Sequence, residues 1–378
     1  MIHAVQDAVV LAYFADDPTR SYQLVQWLPV LEQLDQHHRV GVVTRDERTA
    51  AVLRERTVLP ITCVEDFADL TGLYAASAAR VVLYCNNSML NFNSLIDARK
   101  LHVHINHGES DKQSMASNNA KAYDRVFVAG EAAVRRYAAE LLELDTRKLV
   151  RIGRPQLDLR PPAVLEPSER RTVLYAPTWE GDADYNDYTS VDTVGPDVVR
   201  AVLAVPDVRL VYKPHPKVVT SRTPAIAAGH RRILDLLAAA GGEHRAVTHG
   251  DILAVIPDCD AMITDVSSVG LDWLYLRTDR PLFITDRHHD AERLRQEVPV
   301  SRCADVLAEV DVAELAGLVA ARLEHDEHHL ARVAMRHHYF DDHQVGDSTA
   351  RFVEAVGDLV ALRDRLLGAA PADQAITA

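Results

Sequence analysis

The chain has 378 residues, enough for about two domains. Hydrophobic residues make up 48% and charged residues 25%, a composition that builds a packed core and excludes a disordered chain. With 41 Lys and Arg against 55 Asp and Glu the net charge is −14, which argues against a nucleic-acid partner gripped through its phosphates and against adhesion to an anionic membrane by charge alone.

Apolar runs alternate with helical stretches from end to end. Strands are predicted over 7–14, 39–44, 80–85, 101–106 and 124–130, with helices over 21–35 and 130–144 among them. Continuous β-branched runs joined by helical connections imply parallel strands covered on both faces. The proline-rich segment 154–171, RPQLDLRPPAVLEPSERR, breaks this pattern and is expected to link two domains. Strands resume at 172–177, 208–216, 261–265 and 281–285, and a last long helix is expected over 348–367, followed by a frayed tail at 368–378. The α/β organisation expected is a Rossmann-like domain over 1–158, a second over 159–345 with a cleft between the two, and a C-terminal helix and tail over 346–378.

Several chemistries lack their signatures. No G-x-G-x-x-G follows the first strand, no P-loop is present, and neither G-x-S-x-G nor H-E-x-x-H occurs. Cys63, Cys85, Cys259 and Cys303 are far apart and form no CxxC pair, so neither a disulfide framework nor a zinc site is expected. The paired histidines at 37/38, 288/289, 328/329 and 337/338 do not share a helix face and make poor metal sites. No apolar run is long enough to span a bilayer, and no basic segment followed by an apolar one marks a signal peptide. These features point to a cytoplasmic protein.

Four segments carry the chemistry. In CDAMITDVSSVGLDW (259–273) a buried strand ends at Asp265, and Ser267 and Ser268 are expected to cap a helix whose first N–H groups suit a phosphate. The alternative is a capped helix with no ligand. In TVLYAPTWEGD (172–182) and VRLVYKPHPKV (208–218) strands end at Pro177–Thr178–Trp179 and at Lys213–Pro214–His215–Pro216. A Lys and a His beside a helix N-terminus make a cradle for a diphosphate, although such a His is also an ordinary loop residue. In LHVHINHGESDKQS (101–114) a strand ends at His107–Gly108, followed by Glu109, Asp111 and Lys112, and a histidine there suits a general base on an incoming hydroxyl. The loop CNNSMLNFNS (85–94) either lines an acceptor pocket or is simple turn chemistry.

Taken together, these segments resemble the CDP-glycerol glycerophosphotransferase family, the polymerases and primases of teichoic acids and related capsules. His107-Gly108 with Lys112 is similar to its H-G-x-x-x-K, LYAPTW at 174–179 to its Y-A-P-T-[WY], KPHP at 213–216 to its R-P-H-P, and ITDVSSVGLDW at 263–273 to its T-D-Y-S-S-x-x-F-D. Lys213 stands where the family has Arg, Val266 and Leu271 replace aromatics, and Glu109-Ser110-Asp111 replaces the usual Thr-Pro. The resemblance implies a GT-B fold, with the acceptor on the N-terminal domain and the nucleotide donor on the C-terminal one. It implies that His107 is the base, that His215 contacts the donor phosphates, and that Ser267 and Ser268 sit at the pyrophosphate helix. Thr178 and Lys213 are expected on the donor phosphates and Asp272 on a ribose hydroxyl, with Gly108, Glu109 and Lys112 on the acceptor side. The implied reaction moves a glycerol-phosphate or related unit from a CDP-polyol to a polymer or lipid-linked acceptor, with neither a metal nor another cofactor. Peripheral attachment at the inner face of the cell membrane stays open. So do two other functions: a glycosyltransferase or epimerase using a UDP-sugar, and a nucleotide-binding protein without turnover.

Overall fold

The computed structural model describes residues 2–112, 115–181 and 183–368. The tail expected to fray lies outside them beyond Gly368. The chain forms two compact units. One holds the residues up to Gly108, Ala116–Leu159 and those from Asp342 on; the other holds Glu109–Met115 and Arg160–Asp341.

The first unit is built on strands β1 (Val10–Phe14), β2 (Val40–Thr44), β3 (Ile61–Cys63), β4 (Val81–Tyr84), β5 (Leu101–His104), β6 (Arg125–Val128) and β7 (Leu149–Arg151). They pair in parallel in the order β3-β2-β1-β4-β5-β6-β7. Successive side chains of a strand point to opposite faces, and both faces are covered. Val10, Ala12 and Phe14 pack with Leu31 and Leu34 of helix Leu28–Asp35 and with Phe352 and Val356 of helix Asp347–Gly368. Leu11 and Tyr13 pack on the other side with Leu70 and Leu73 of helix Phe67–Ala76.

The second unit repeats this plan with β8 (Arg171–Ala176), β9 (Val208–Tyr212), β10 (Arg245–Ala246), β11 (Ala261–Thr264), β12 (Leu282–Thr285) and β13 (Asp305–Leu307). All of its pairings are parallel, in the order β10-β9-β8-β11-β12-β13. In both sheets the first strand in sequence has its next two partners on one side and the later ones on the other, which is the doubly wound order. Val173 and Tyr175 of β8 pack with Val198 and Val202 of helix Gly195–Leu203 and with Leu315 and Val319 of helix Val312–Glu324.

The expected elements are present with shifted ends. The helix expected over 21–35 is two pieces, Tyr22–Val25 and Leu28–Asp35, because Pro29 stands at the start of the second, where a missing N–H costs nothing. The strand expected over 208–216 stops at Tyr212, since Pro214 and Pro216 cannot continue a ladder. Two divisions of the chain differ from expectation. The C-terminal helix is part of the first unit, because Phe352, Val356 and Leu359 complete one face of its core. Residues 109–112 and Met115 are grouped with the second unit and not the first.

Candidate active site

In a doubly wound sheet, ligands bind beyond the carboxyl ends of the strands, near the point where strand order reverses. In the second unit that point lies between β8 and β11, and the loops that follow β8, β9 and β11 arrive near it. They carry Thr178, Lys213, His215, Ser267 and Ser268, so the structure gathers these residues at one edge of one sheet. Backbone bonds fix the edge: His215 N donates to Pro177 O at 3.0 Å and Lys213 N to Tyr175 O at 2.9 Å. Thr264 Oγ1 donates to Ala176 O at 2.8 Å.

Asp265, the first residue after β11, ties the loops to one another. One carboxylate oxygen accepts from the backbone N–H of Thr178 at 2.7 Å and of Ser190 at 3.2 Å; the other accepts from the Thr285 hydroxyl at 2.6 Å. The side chain is 1% exposed, and burial pushes its carboxyl up to about 6 against the pull of those hydrogen bonds. The 187–192 loop is held further by Arg287, which donates to Thr189 O at 2.8 Å and pairs with Asp192 at 2.6 Å and Asp187 at 3.1 Å. Neither Asp265 nor Arg287 stood out as a site residue in the sequence. The one signal for Asp265 was its place, an acid at the carboxyl end of a buried strand.

Trp179 and His215 lie ring to ring, 6.1 Å between centroids, and the Lys217 ammonium sits over the indole at 3.3 Å. His215 Nδ1 accepts from Lys217 N at 3.2 Å, which fixes the imidazole against the turn. Lys213 is buried, and burial lowers its ammonium pKa while Asp251 acts in the opposite direction. Ser267 occupies the N-cap position of helix Ser268–Leu276, but its side chain makes no capping bond and its hydroxyl lies 3.4 Å from that of Thr264. The cap expected of it is therefore not formed, and the first-turn N–H groups of a nine-residue helix keep their partial positive charge. Asp272 is buried one turn further along that helix.

In the first unit, β5 ends at His104 and the chain runs on to His107 and Gly108. Three histidines occur in this stretch, and burial separates them. His102 is buried and bonds the Tyr84 hydroxyl at 2.7 Å. His104 is 1% exposed, stacks on Tyr123 at 5.2 Å between centroids, and is pushed down to about 3 by burial, with His107 nearby adding to the effect. His107 is half-buried at the sheet edge, with the Tyr22 ring meeting it edge-on at 6.4 Å. Three polar residues of the 85–94 loop turn inward: Asn86 Nδ2 donates to Asp16 at 2.7 Å, Ser88 Oγ to Asp16 at 3.2 Å, and Asn91 Nδ2 to Asn86 O at 2.7 Å.

The H-G-x-x-x-K segment is divided between the units. His107 and Gly108 belong to the first, whereas Glu109 and Lys112, expected on the acceptor side with them, belong to the second. There the Tyr339 hydroxyl donates to Asp111, and the Lys112 ammonium lies 5.6 Å from the centre of the Tyr188 ring. Glu109 and Lys112 are both buried. Tyr339 and Tyr188 belong to the same second unit as Asp111 and Lys112. Among the described residues, no group of three His, Cys, Asp or Glu side chains is arranged to hold a metal ion, and no helix is long and apolar enough to cross a membrane.

The chain matches the family profile described as CDP-glycerol:poly(glycerophosphate) glycerophosphotransferase over residues 96–358, a span that contains all four segments. No curated protein matches it in sequence. Among solved structures it is similar to the wall teichoic acid polymerase TagF, at 14% identity and a TM-score of 0.60, covering 98% of this chain and 92% of that one. It is similar also to a UDP-N-acetylglucosamine 2-epimerase of Listeria monocytogenes described as putative, at 14% identity and a TM-score of 0.62, over 96% of this chain and 98% of that one. The Staphylococcus aureus protein MnaA, solved with UDP, is 11% identical with a TM-score of 0.58, over 93% of this chain and 97% of that one. At these identities the likeness is one of fold, and it bears out the two-unit GT-B expectation.

Proposed function

The chain belongs to the CDP-glycerol:poly(glycerophosphate) glycerophosphotransferase family, and from that premise we propose that it transfers a glycerol-phosphate or related polyol-phosphate unit from a CDP-activated donor to an acceptor hydroxyl in the synthesis of a teichoic-acid-like or capsule polymer. The observation that carries this reading is the family match over 96–358, within which Lys213, His215, Ser267 and Ser268 share the carboxyl edge of one sheet. The imidazole of His107 takes the proton of the acceptor hydroxyl. The freed oxygen attacks the β-phosphorus of the donor and forms the new P–O bond. The bond from that phosphorus to the bridging oxygen breaks, the electron pair stays on the bridging oxygen, and CMP leaves. Lys213, His215 and the first-turn N–H groups at Ser267 and Ser268 face the charge that grows on the leaving phosphate. A lysine acts there as a point charge and lacks the bidentate fork of arginine, so the backbone N–H groups carry more of the orientation.

Thr178 lines the donor phosphates on a loop that Asp265 braces, and Asp272 takes a ribose hydroxyl. Fixed cations and the helix dipole do the electrostatic work, so the reaction runs without a bound metal or other cofactor. The acceptor is a polymer or lipid-linked chain, which the protein meets as a peripheral component at the inner face of the cell membrane. A donor panel tests the proposal: CDP-glycerol, other CDP-alcohols and UDP-sugars are each supplied with the protein, and the released nucleotide is identified. CMP released from a CDP-alcohol supports it. UDP released from a UDP-sugar, with the CDP-alcohols untouched, replaces it with sugar chemistry on the same fold.

A further inference from the structure

We propose that Trp27 and Asn106 are positioning residues that fix the direction in which His107 presents its imidazole. The proposal rests on the reading of His107 as the base. Asn106 directly precedes His107 and has φ of 52°, in the left-handed region that side chains other than those of Gly, Asn and Asp seldom occupy. Two bonds hold it there. The Trp27 indole N–H donates to Asn106 O at 2.6 Å, and the Asn106 side-chain amide donates to Phe127 O, in β6, at 3.2 Å. The carbonyl of Asn106 and the N–H of His107 lie in one rigid peptide plane, so an indole that fixes the oxygen also fixes the orientation from which the His107 side chain departs.

Trp27 is itself held by packing. It is 1% exposed, and its ring packs against Phe352 with centroids 5.2 Å apart. Tyr22, five residues earlier in the chain, meets the His107 ring edge-on. A single stretch, 22–27, therefore supports both the backbone and the ring of His107. Sheet strands alone do not require this: the left-handed turn comes two residues beyond the last residue of β5, where the ladder no longer dictates backbone geometry. A base must sit within hydrogen-bond reach of the proton it removes, and small misplacements of such a group lower rates steeply.

The test uses the full-length protein with steady-state transfer kinetics and calorimetric titration of CDP-glycerol. Trp27→Phe keeps the packing on Phe352 and removes the indole donor. It should lower kcat about 10–100-fold, with the acceptor KM and donor affinity nearly unchanged. Asn106→Val, which resists the left-handed backbone, should fall by a similar factor, whereas Asn106→Gly, which accepts that backbone but loses the bond to Phe127 O, should fall by less. Each substitution is also combined with His107→Ala. If Trp27 and Asn106 act through His107, Trp27→Phe or Asn106→Val costs nothing further once the imidazole is gone. If Asn106→Val does not fold, Trp27→Phe and its double variant carry the test. Full kcat in Trp27→Phe, or a double variant slower than His107→Ala alone, overturns the positioning role and leaves the base assignment standing. Wild-type transfer by His107→Ala overturns the base assignment, and the positioning role falls with it.

Discussion

Replacing Asp265 by Asn tests the account of the donor-side loops through stability. Asp265 is buried at the end of β11, and burial raises its carboxyl to about 6. In the unfolded chain the same group ionises near the ordinary aspartate value. Between those two values the folded protein holds a proton that the unfolded chain has released, so stability contributed by this group is complete at low pH and is lost as pH rises through the folded value. Roughly two units separate the values, which makes the loss about 3 kcal/mol by neutral pH. The amide fits the same three partners. Its oxygen can accept from Thr178 N and Ser190 N, and its nitrogen can donate to the Thr285 hydroxyl, which turns to receive it. The Asp265→Asn variant therefore keeps the loops and lacks the penalty. Somewhat over ~2 kcal/mol of that loss falls between roughly pH 4 and pH 7.5, so its melting temperature relative to wild type should rise by about 5–10 °C over that range, at the usual 2–4 °C per kcal/mol for a unit of this size. Scanning calorimetry of both proteins across that range supplies the difference directly. A difference independent of pH would show that Asp265 is not held neutral, and a variant unstable at every pH would show that the carboxylate charge is needed.

Three further outcomes are expected. His107→Ala should lower transfer about 10²–10⁴-fold with donor affinity intact, whereas His215→Ala should weaken both; calorimetry with CDP-glycerol beside CMP release separates them, and equal loss of donor binding in the two would refute the assignment. Asp158 accepts from the N–H groups of Gly346 and Thr349 at 2.6 Å each, at the start of the C-terminal helix. Asp158→Ala should therefore destabilise the first unit by about 1–2 kcal/mol in denaturant unfolding, and an unchanged midpoint would deny that helix its anchor. Chelation with EDTA should leave the transfer rate unchanged; a loss restored by added magnesium would place a metal ion in the reaction.

Much of this architecture was legible in the sequence because buried parallel strands are continuous apolar runs. Thr178, Lys213, His215 and Ser267 stand just beyond the ends of those runs, so their gathering at one sheet edge was legible from position alone. Short strands were not legible: Arg245–Ala246 and Asp305–Leu307 carry too few apolar residues to register as runs. The periodicity of 348–367 marks a helix with an apolar face but does not say which sheet that face covers, and Phe352 and Val356 complete the first one. Sequence adjacency put Lys112 in one unit with His107, whereas the partners that place it in the other, Tyr188 for its own ammonium and Tyr339 for neighbouring Asp111, lie far along the chain. Asp265 was missed as a site residue because its work is to accept backbone N–H bonds, which leave no trace in residue types. The sharp turn before His107 is made at Asn106, whose left-handed backbone no apolar run or spacing announces.

The proposed transfer requires attack on phosphorus and not on carbon. Phosphorus NMR of a reaction containing the protein, CDP-glycerol and a hydroxyl acceptor reads this directly, because cleavage between the two phosphates and cleavage at the glycerol carbon leave different nucleotides. CMP should be the nucleotide product, together with a new phosphodiester signal that grows in equal amount and grows about 10²–10⁴-fold more slowly with the His107→Ala protein. Release of CDP, with the acceptor joined to glycerol through an ether oxygen and no new phosphodiester, would contradict it.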